Sequence, residues 1–206
     1  MKRREWLQLA CLAAVGGRPA GSYASNRLFN GRDFTGWLRA GHGLWSVEEG
    51  AIVGRADHAK PAPGYLMSEL EFADFEFRLE FWISRGGNSG VYIREPRRNW
   101  GIDGDERPAH GPRSGYEVQI DYNDAKNPTG SLYDISRAER LVGGEERWSP
   151  LRIECRGPKI WVWVSEQMVI SYGPLRSAKG VIGFQIHGRK PHDHVVKFRN
   201  VECTVL

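Results

Sequence analysis

The run Gly115-Tyr-Glu-Val-Gln-Ile-Asp121 concentrates more chemistry than any other stretch of the chain. As an extended strand it puts Tyr116, Val118 and Ile120 on one face. Glu117, Gln119 and Asp121 then line the other, about 7 Å apart along the strand. Two acids flanking an amide differ from the mixed lysine and glutamate of a solvated face and point to a polar site. A second run, 181–187, repeats the pattern: Ile182, Phe184 and Ile186 share one side, Gln185 and His187 the other, with Gly183 before them. A histidine there is either solvent-facing or a general base, since its imidazole titrates near neutral pH. A third begins at Gly86-Gly87-Asn88-Ser89-Gly90, after which Tyr92 and Arg94 face away from Val91 and Ile93. The glycines allow close backbone approach, and the Arg94 guanidinium is suited to an oxyanion or a sugar hydroxyl. On one shared concave sheet these strands would combine Asn88, Arg94, Glu117, Gln119, Asp121, Gln185 and His187 into a single site.

Other signals are weaker. The stretch 96–114 is a polar loop rich in Gly, Pro and Arg, either a binding loop or a surface insertion. Its Trp100 is suited to stack on a sugar ring. His192-Asp193-His194 offers two histidines but no third ligand at a metal-binding spacing. Phosphate loops, dinucleotide fingerprints and zinc cysteine patterns are absent.

The elements that must position these side chains follow from period two. Phe75, Phe77, Leu79, Phe81 and Ile83 alternate with Glu76, Arg78, Glu80 and Trp82, the clearest strand of the chain. Similar runs lie at 44–48, 51–55, 91–94, 116–122, 151–156, 160–164, 168–172, 181–187 and 195–206. The last changes parity between Phe198 and Val201, which predicts a bulge near Asn200. No sustained helical period occurs. About ten short strands separated by Gly-rich turns predict an all-β fold, an antiparallel β-sandwich of jelly-roll type. Across 206 residues, with 40% hydrophobic and 26% charged, disordered and coiled-coil chains are excluded.

Residues 1–24 have the form of an export signal: basic Lys2, Arg3 and Arg4, an apolar run from Trp6 to Val15, and a small-residue site at Ser22-Tyr23-Ala24. Arg3-Arg4 resembles a twin-arginine start. The apolar run is too short to span a bilayer, so no transmembrane anchor is expected and the product is periplasmic or extracellular. The formal charge of +4 falls to +1 without this segment, which holds four basic residues and one acid. Residues 25–206 then form one near-neutral domain with no electrostatic reason for a nucleic-acid partner. Cys155 and Cys203 are expected either to pair in an oxidising compartment or to sit as free buried thiols.

Several motifs in order resemble a known family. They are Leu28-Phe-Asn-Gly-Arg-Asp-Phe-Thr-Gly-Trp37, Gly87-Asn-Ser-Gly-Val-Tyr-Ile-Arg94, Gly115-Tyr-Glu-Val-Gln-Ile-Asp121, Pro128-Thr-Gly-Ser-Leu-Tyr133 and Gly180-Val-Ile-Gly-Phe-Gln-Ile-His-Gly188. Together they resemble the 3-keto-disaccharide hydrolase family across residues 27–206. The resemblance implies a concanavalin-like sandwich acting on 3-keto-glycosides, small-molecule carbohydrates. Their ketone acidifies the C2 proton, so a base removes it, the C1 leaving group departs and water adds back. On this basis His187 or Glu117 is the base, and Arg94 and Gln119 bind the keto sugar. Asn88, Gln185 and Trp100 are further substrate contacts. Asp121 is a substrate ligand or part of a divalent-metal site that polarises the ketone. No other cofactor is implied. The family commonly carries an acid where this chain has Ile186, and an Asn-Gly turn where it has Ser165-Glu166. The alternative is a non-catalytic carbohydrate-binding module of the same fold.

Overall fold

Alternating apolar residues become strands because one face must be buried, and in this chain two sheets bury theirs against each other. The computed structural model describes residues 26–60, 62–97, 114–188 and 193–206. Thirteen strands run along them: β1 (Asn26–Arg27), β2 (Trp37–Gly41), β3 (Leu44–Glu48), β4 (Ala51–Arg55), β5 (Gly64–Phe72), β6 (Phe75–Ile83), β7 (Ser89–Glu95), β8 (Tyr116–Ile120), β9 (Ser149–Arg156), β10 (Lys159–Val164), β11 (Gln167–Tyr172), β12 (Gly180–Ile186) and β13 (Val195–Val205). The larger sheet has the order β11-β10-β9-β6-β13-β4-β3, with β1 also on β13. The smaller has the order β2-β5-β12-β7-β8, and all pairings are antiparallel. The expected all-β sandwich is what forms. None of the described residues builds a helix long and apolar enough to cross a membrane.

The core lies between the sheets. Phe75, Phe77, Leu79, Phe81 and Ile83 are all buried, as their spacing predicts. Phe184 of the small sheet stacks on Phe198 of the large one at 4.1 Å and on Trp37 at 5.2 Å. The bulge expected near Asn200 is present: the register of β13 on β6 slips between Arg199 and Glu202, and Asn200 has φ 52°. Ser165 and Glu166 carry φ 47° and 62°, so they keep the doubly left-handed turn that Asn-Gly would otherwise make.

β2 and β5 are not anticipated by sequence alternation. In β5 the cause is physical: Leu66 enters the core, while Tyr65 and Met67 are buried on the opposite face with Ala40, Tyr92 and Val181. A strand buried on both faces does not alternate in polarity. The large sheet's outer face is different, a mixed-charge surface with Arg152 over Trp163 at 3.4 Å and ion pairs such as Arg152–Glu76.

Cys155 and Cys203 are free and buried. They pair with Phe75 and Phe77 from opposite sides of β6, so two strand spacings and two residues, about 12 Å, separate their backbones. That is beyond disulfide reach. Burial pushes both thiols up to about 12. Both are therefore expected to be inert to Ellman's reagent in the native protein and to react on unfolding. Titration of thiols with and without denaturant checks this, and fast native-state labelling would contradict it.

Candidate active site on the outer face of the small sheet

The register of the small sheet aligns its outward side chains in rows. Tyr65, Gln185, Gly90 and Gln119 lie side by side across β5, β12, β7 and β8. One row along come Met67, Gly183, Tyr92 and Glu117. Leu66, Phe184, Val91 and Val118 face the other way into the core. The sheet therefore brings Glu117, Gln119 and Gln185 together as the alternation predicts. It adds Tyr65, on the strand the alternation does not reveal, and Tyr92, whose face is anticipated but whose role is not.

Beyond β8 the edge is completed by residues 129–133. Thr129 donates its backbone N–H to Asp121 O, Gln119 to Ser131 O, and Tyr133 to Glu117 O, at 3.0, 2.9 and 2.9 Å. This ribbon satisfies the edge strand and sets the partly exposed Tyr133 next to Glu117.

Glu117 is only 3% exposed. Gly90 makes room for it, because a Cβ there would collide with the carboxyl. Burial pushes its proton affinity from 4.5 up to about 8; a hydrogen bond from Tyr92 opposes the rise and the negative charge of Asp134 adds to it. The Tyr92 hydroxyl, completely buried, accepts a hydrogen bond from Gln185 Nε2 at 2.9 Å. Gln119 is 2% exposed, and its Oε1 meets no hydrogen-bond donor among the described residues. An unmatched buried acceptor is costly, and a ligand hydroxyl is the kind of group that would satisfy it.

Asp121, Asn88 and His187 form a separate cluster one row beyond the Gln119 row. Asn88 Nδ2 donates to Asp121 Oδ2 and Asn123 N to Asp121 Oδ1, each at 2.8 Å. His187 N donates to Asn88 O at 3.3 Å. His187 is half-buried and follows the last residue of β12. Two strand spacings and four residues separate the His187 and Glu117 backbones, about 16 Å. The two expected bases therefore stand at opposite corners of the face and do not form a hydrogen-bonded pair.

Arg94 is a correction. Tyr92 and Glu95 of β7 face Gly183 and Val181 of β12, three steps against two, so β7 bulges between them. Arg94 takes φ 51° there, and its side chain is wholly buried. Its guanidinium donates to Ala73 O and Gly157 O, both at 2.7 Å, and to Asp74 Oδ1 at 2.9 Å. It ties β7 to the β5–β6 and β9–β10 turns and does not share the outer face with Glu117. Ile186 points into the core, on the side that the alternation of β12 gives it.

The metal possibility is tested by the donors themselves. Among the described residues no three His, Cys, Asp or Glu side chains gather closely enough to hold an ion. The Asp121 oxygens are engaged by Asn88 and Asn123. Among the described residues Asp121 is thus a hydrogen-bonded carboxylate outside any three-ligand set. Asp193 is paired with His58. Trp100, His192 and residues 1–24 lie outside the described residues.

The family described as "3-keto-alpha-glucoside-1,2-lyase-like domain" matches residues 24–204. A 3-keto-disaccharide hydrolase of Bacteroides thetaiotaomicron is 29% identical over 127 residues, covering 52% of this chain and 44% of that protein. The matched part is thus less than half of the relative's length. A Parabacteroides distasonis protein provisionally assigned as a glycosyl hydrolase superposes with TM-score 0.67 at 22% identity, over 88% of this chain and 94% of that one. The carbohydrate-binding module CBM66 of Bacillus subtilis does so with TM-score 0.60 at 17% identity, over 82% and 95%. At these identities the two structures show a shared fold.

Proposed function

Because the chain belongs to the 3-keto-alpha-glucoside-1,2-lyase-like family, we propose that it cleaves the glycosidic bond of 3-keto-glycosides with Glu117 as the base. The C3 ketone acidifies the neighbouring C2–H. Glu117 carboxylate takes that proton, and the electron pair moves onto the C3 oxygen as an enolate. The enolate collapses to a C1=C2 double bond, the C1–O bond breaks, and the aglycone oxygen leaves with the proton relayed from the Glu117 carboxyl, which returns to carboxylate. Water then adds hydroxyl to C1 and hydrogen to C2, so one water is consumed and nothing is oxidised or reduced.

The observation that carries this reading is the Glu117 carboxyl, buried between an amide row and a tyrosine. A base titrating at about 8 is stronger than an ordinary carboxylate, yet a usable fraction is ionised at neutral pH. The orphan Gln119 Oε1 supplies an acceptor for a substrate hydroxyl beside it. Asp121 follows the last residue of β8, four residues or about 13 Å beyond Glu117, too far for the paired carboxylates of ordinary glycosidases. His187 belongs with Asn88 at the other corner, where it serves the far end of the substrate. The basic, apolar start of the sequence supports export as part of the same reading.

The test is incubation with a 3-keto-glucoside and 3-keto-trehalose, with and without EDTA. Release of 3-keto-glucose is expected, and loss under EDTA would bring a divalent ion into the mechanism. The likeness to CBM66 supports a second reading, sugar binding without turnover. Saturable binding of the keto sugar with no product would select it.

A further inference from the structure

Tyr92 is completely buried, so any part it plays in turnover runs through a neighbour. β7 and β8 place it directly opposite Glu117, and β12 places Gly183 on its other side. Its hydroxyl accepts the Gln185 amide at 2.9 Å. The hydroxyl has one proton and two partners in reach of it, Glu117 and Tyr65; the carboxylate, which carries charge, is the stronger acceptor. The ring is held edge-on against Tyr65 at 5.6 Å. Burial and then the Glu117 charge keep the phenol protonated, well above its ordinary value, so Tyr92 is a permanent donor. Gln185, in turn, faces Gly90, where no side chain intervenes.

We propose that Tyr92, oriented by Gln185, is a positioning residue that occupies one oxygen of Glu117 and leaves the other for the substrate C2–H. The proposal rests on the reading of Glu117 as the base, but the coupling itself exists without substrate. Among the described residues, the titratable groups that act on Glu117 are Tyr92 from β7 and Tyr133 and Asp134 at the end of the edge ribbon, with Tyr65 from β5 behind Tyr92. On this side β12 presents Val181, Gly183 and Gln185, none of which titrates. Of these, Tyr92 is the group that donates to the carboxyl.

The experiment is a pH titration of the Glu117 carboxyl C=O stretching band, identified by its disappearance in Glu117→Gln. Tyr92→Phe keeps the ring and removes the donor, so the midpoint is expected to rise by about one pH unit. Gln185→Met leaves the tyrosine in place and is expected to move it the same way by less. In turnover, the ascending limb of kcat/KM is expected to follow the same shift in Tyr92→Phe, with KM changed less than kcat. A midpoint unmoved in both variants would overturn the coupling, whatever the activity. A shifted midpoint with an unshifted kcat/KM limb would overturn the role of Glu117 as base but leave the Tyr92–Glu117 coupling standing. Should Tyr92→Phe fail to fold, the Gln185→Met midpoint decides.

Discussion

Glu117→Gln is expected to lower kcat on a 3-keto-glucoside by about 10²- to 10⁴-fold, the range lost with a general base, and to make the protein more stable at neutral pH. The second half follows from linkage. In the native state the carboxyl titrates at about 8; its ordinary value is 4.5. Below 4.5 both states hold the proton and Glu117 has no effect on stability. As pH rises from 4.5 the unfolded chain releases the proton while the native state retains it, so unfolding becomes easier up to about pH 8 and levels off beyond. At pH 7 the penalty is about 3 kcal/mol, at about 1.4 kcal/mol per unit. A neutral glutamine of the same shape removes it. For a chain of this size the thermal midpoint should rise by several degrees, about 2–4 °C per kcal/mol. The gain should shrink as the pH is lowered toward 4.5. Melting curves of both proteins between pH 4.5 and 8.5 check the sign. A variant that loses both activity and stability would show Glu117 to be a structural residue instead. Sites that carry chemistry commonly lower stability in this way.

Arg94→Ala is expected to act in the opposite manner, by destabilising the whole sandwich. Its guanidinium satisfies two backbone carbonyls and Asp74 from a position with no exposed surface. Truncation strips Ala73 O and Gly157 O of their donor and opens a cavity where a long side chain was packed. A loss of about 3 kcal/mol is expected, on the scale of emptying the site of a large, fully buried side chain. Because Asp74 is 44% exposed and Ala73 and Gly157 are exposed residues, water offsets part of their lost partner, and the cavity makes up most of the loss. Arg94→Lys should recover little, since an ammonium cannot reach three acceptors in fork geometry. Urea unfolding measures the loss. An Arg94 variant of normal stability with weakened sugar binding would restore the guanidinium to the site.

The contrast between Glu117 and Arg94 shows where alternation informs and where it fails. Tyr116 to Ile120 runs without a break, so parity alone places Glu117 and Gln119 on one face with Gln185. The bulge in β13 is equally legible, because the apolar residues themselves change parity at Asn200. The bulge in β7 is not: Val91-Tyr-Ile-Arg94 alternates smoothly, and nothing in an arginine announces a left-handed backbone. Tyr65 is missed for a third reason, burial of β5 on both faces, which erases the polarity pattern that defines a half-buried strand. The Tyr92–Glu117 contact needs the register between β7 and β8, a long-range fact that no local spacing contains. The hydrogen-bonded Asp121 carboxylate is likewise invisible until Asn88 and Asn123 are placed beside it.

The most direct measurement is cleavage of a 3-keto-glucoside in D₂O, with the released 3-keto-glucose analysed by mass spectrometry and NMR at C2. Abstraction by Glu117, elimination and hydration predict one carbon-bound deuterium at C2 in wild type, acquired faster than free 3-keto-glucose exchanges under the same conditions, and no such product from Glu117→Gln. Release of 3-keto-glucose with its C2 hydrogen retained, or undiminished release by Glu117→Gln, would contradict the assignment.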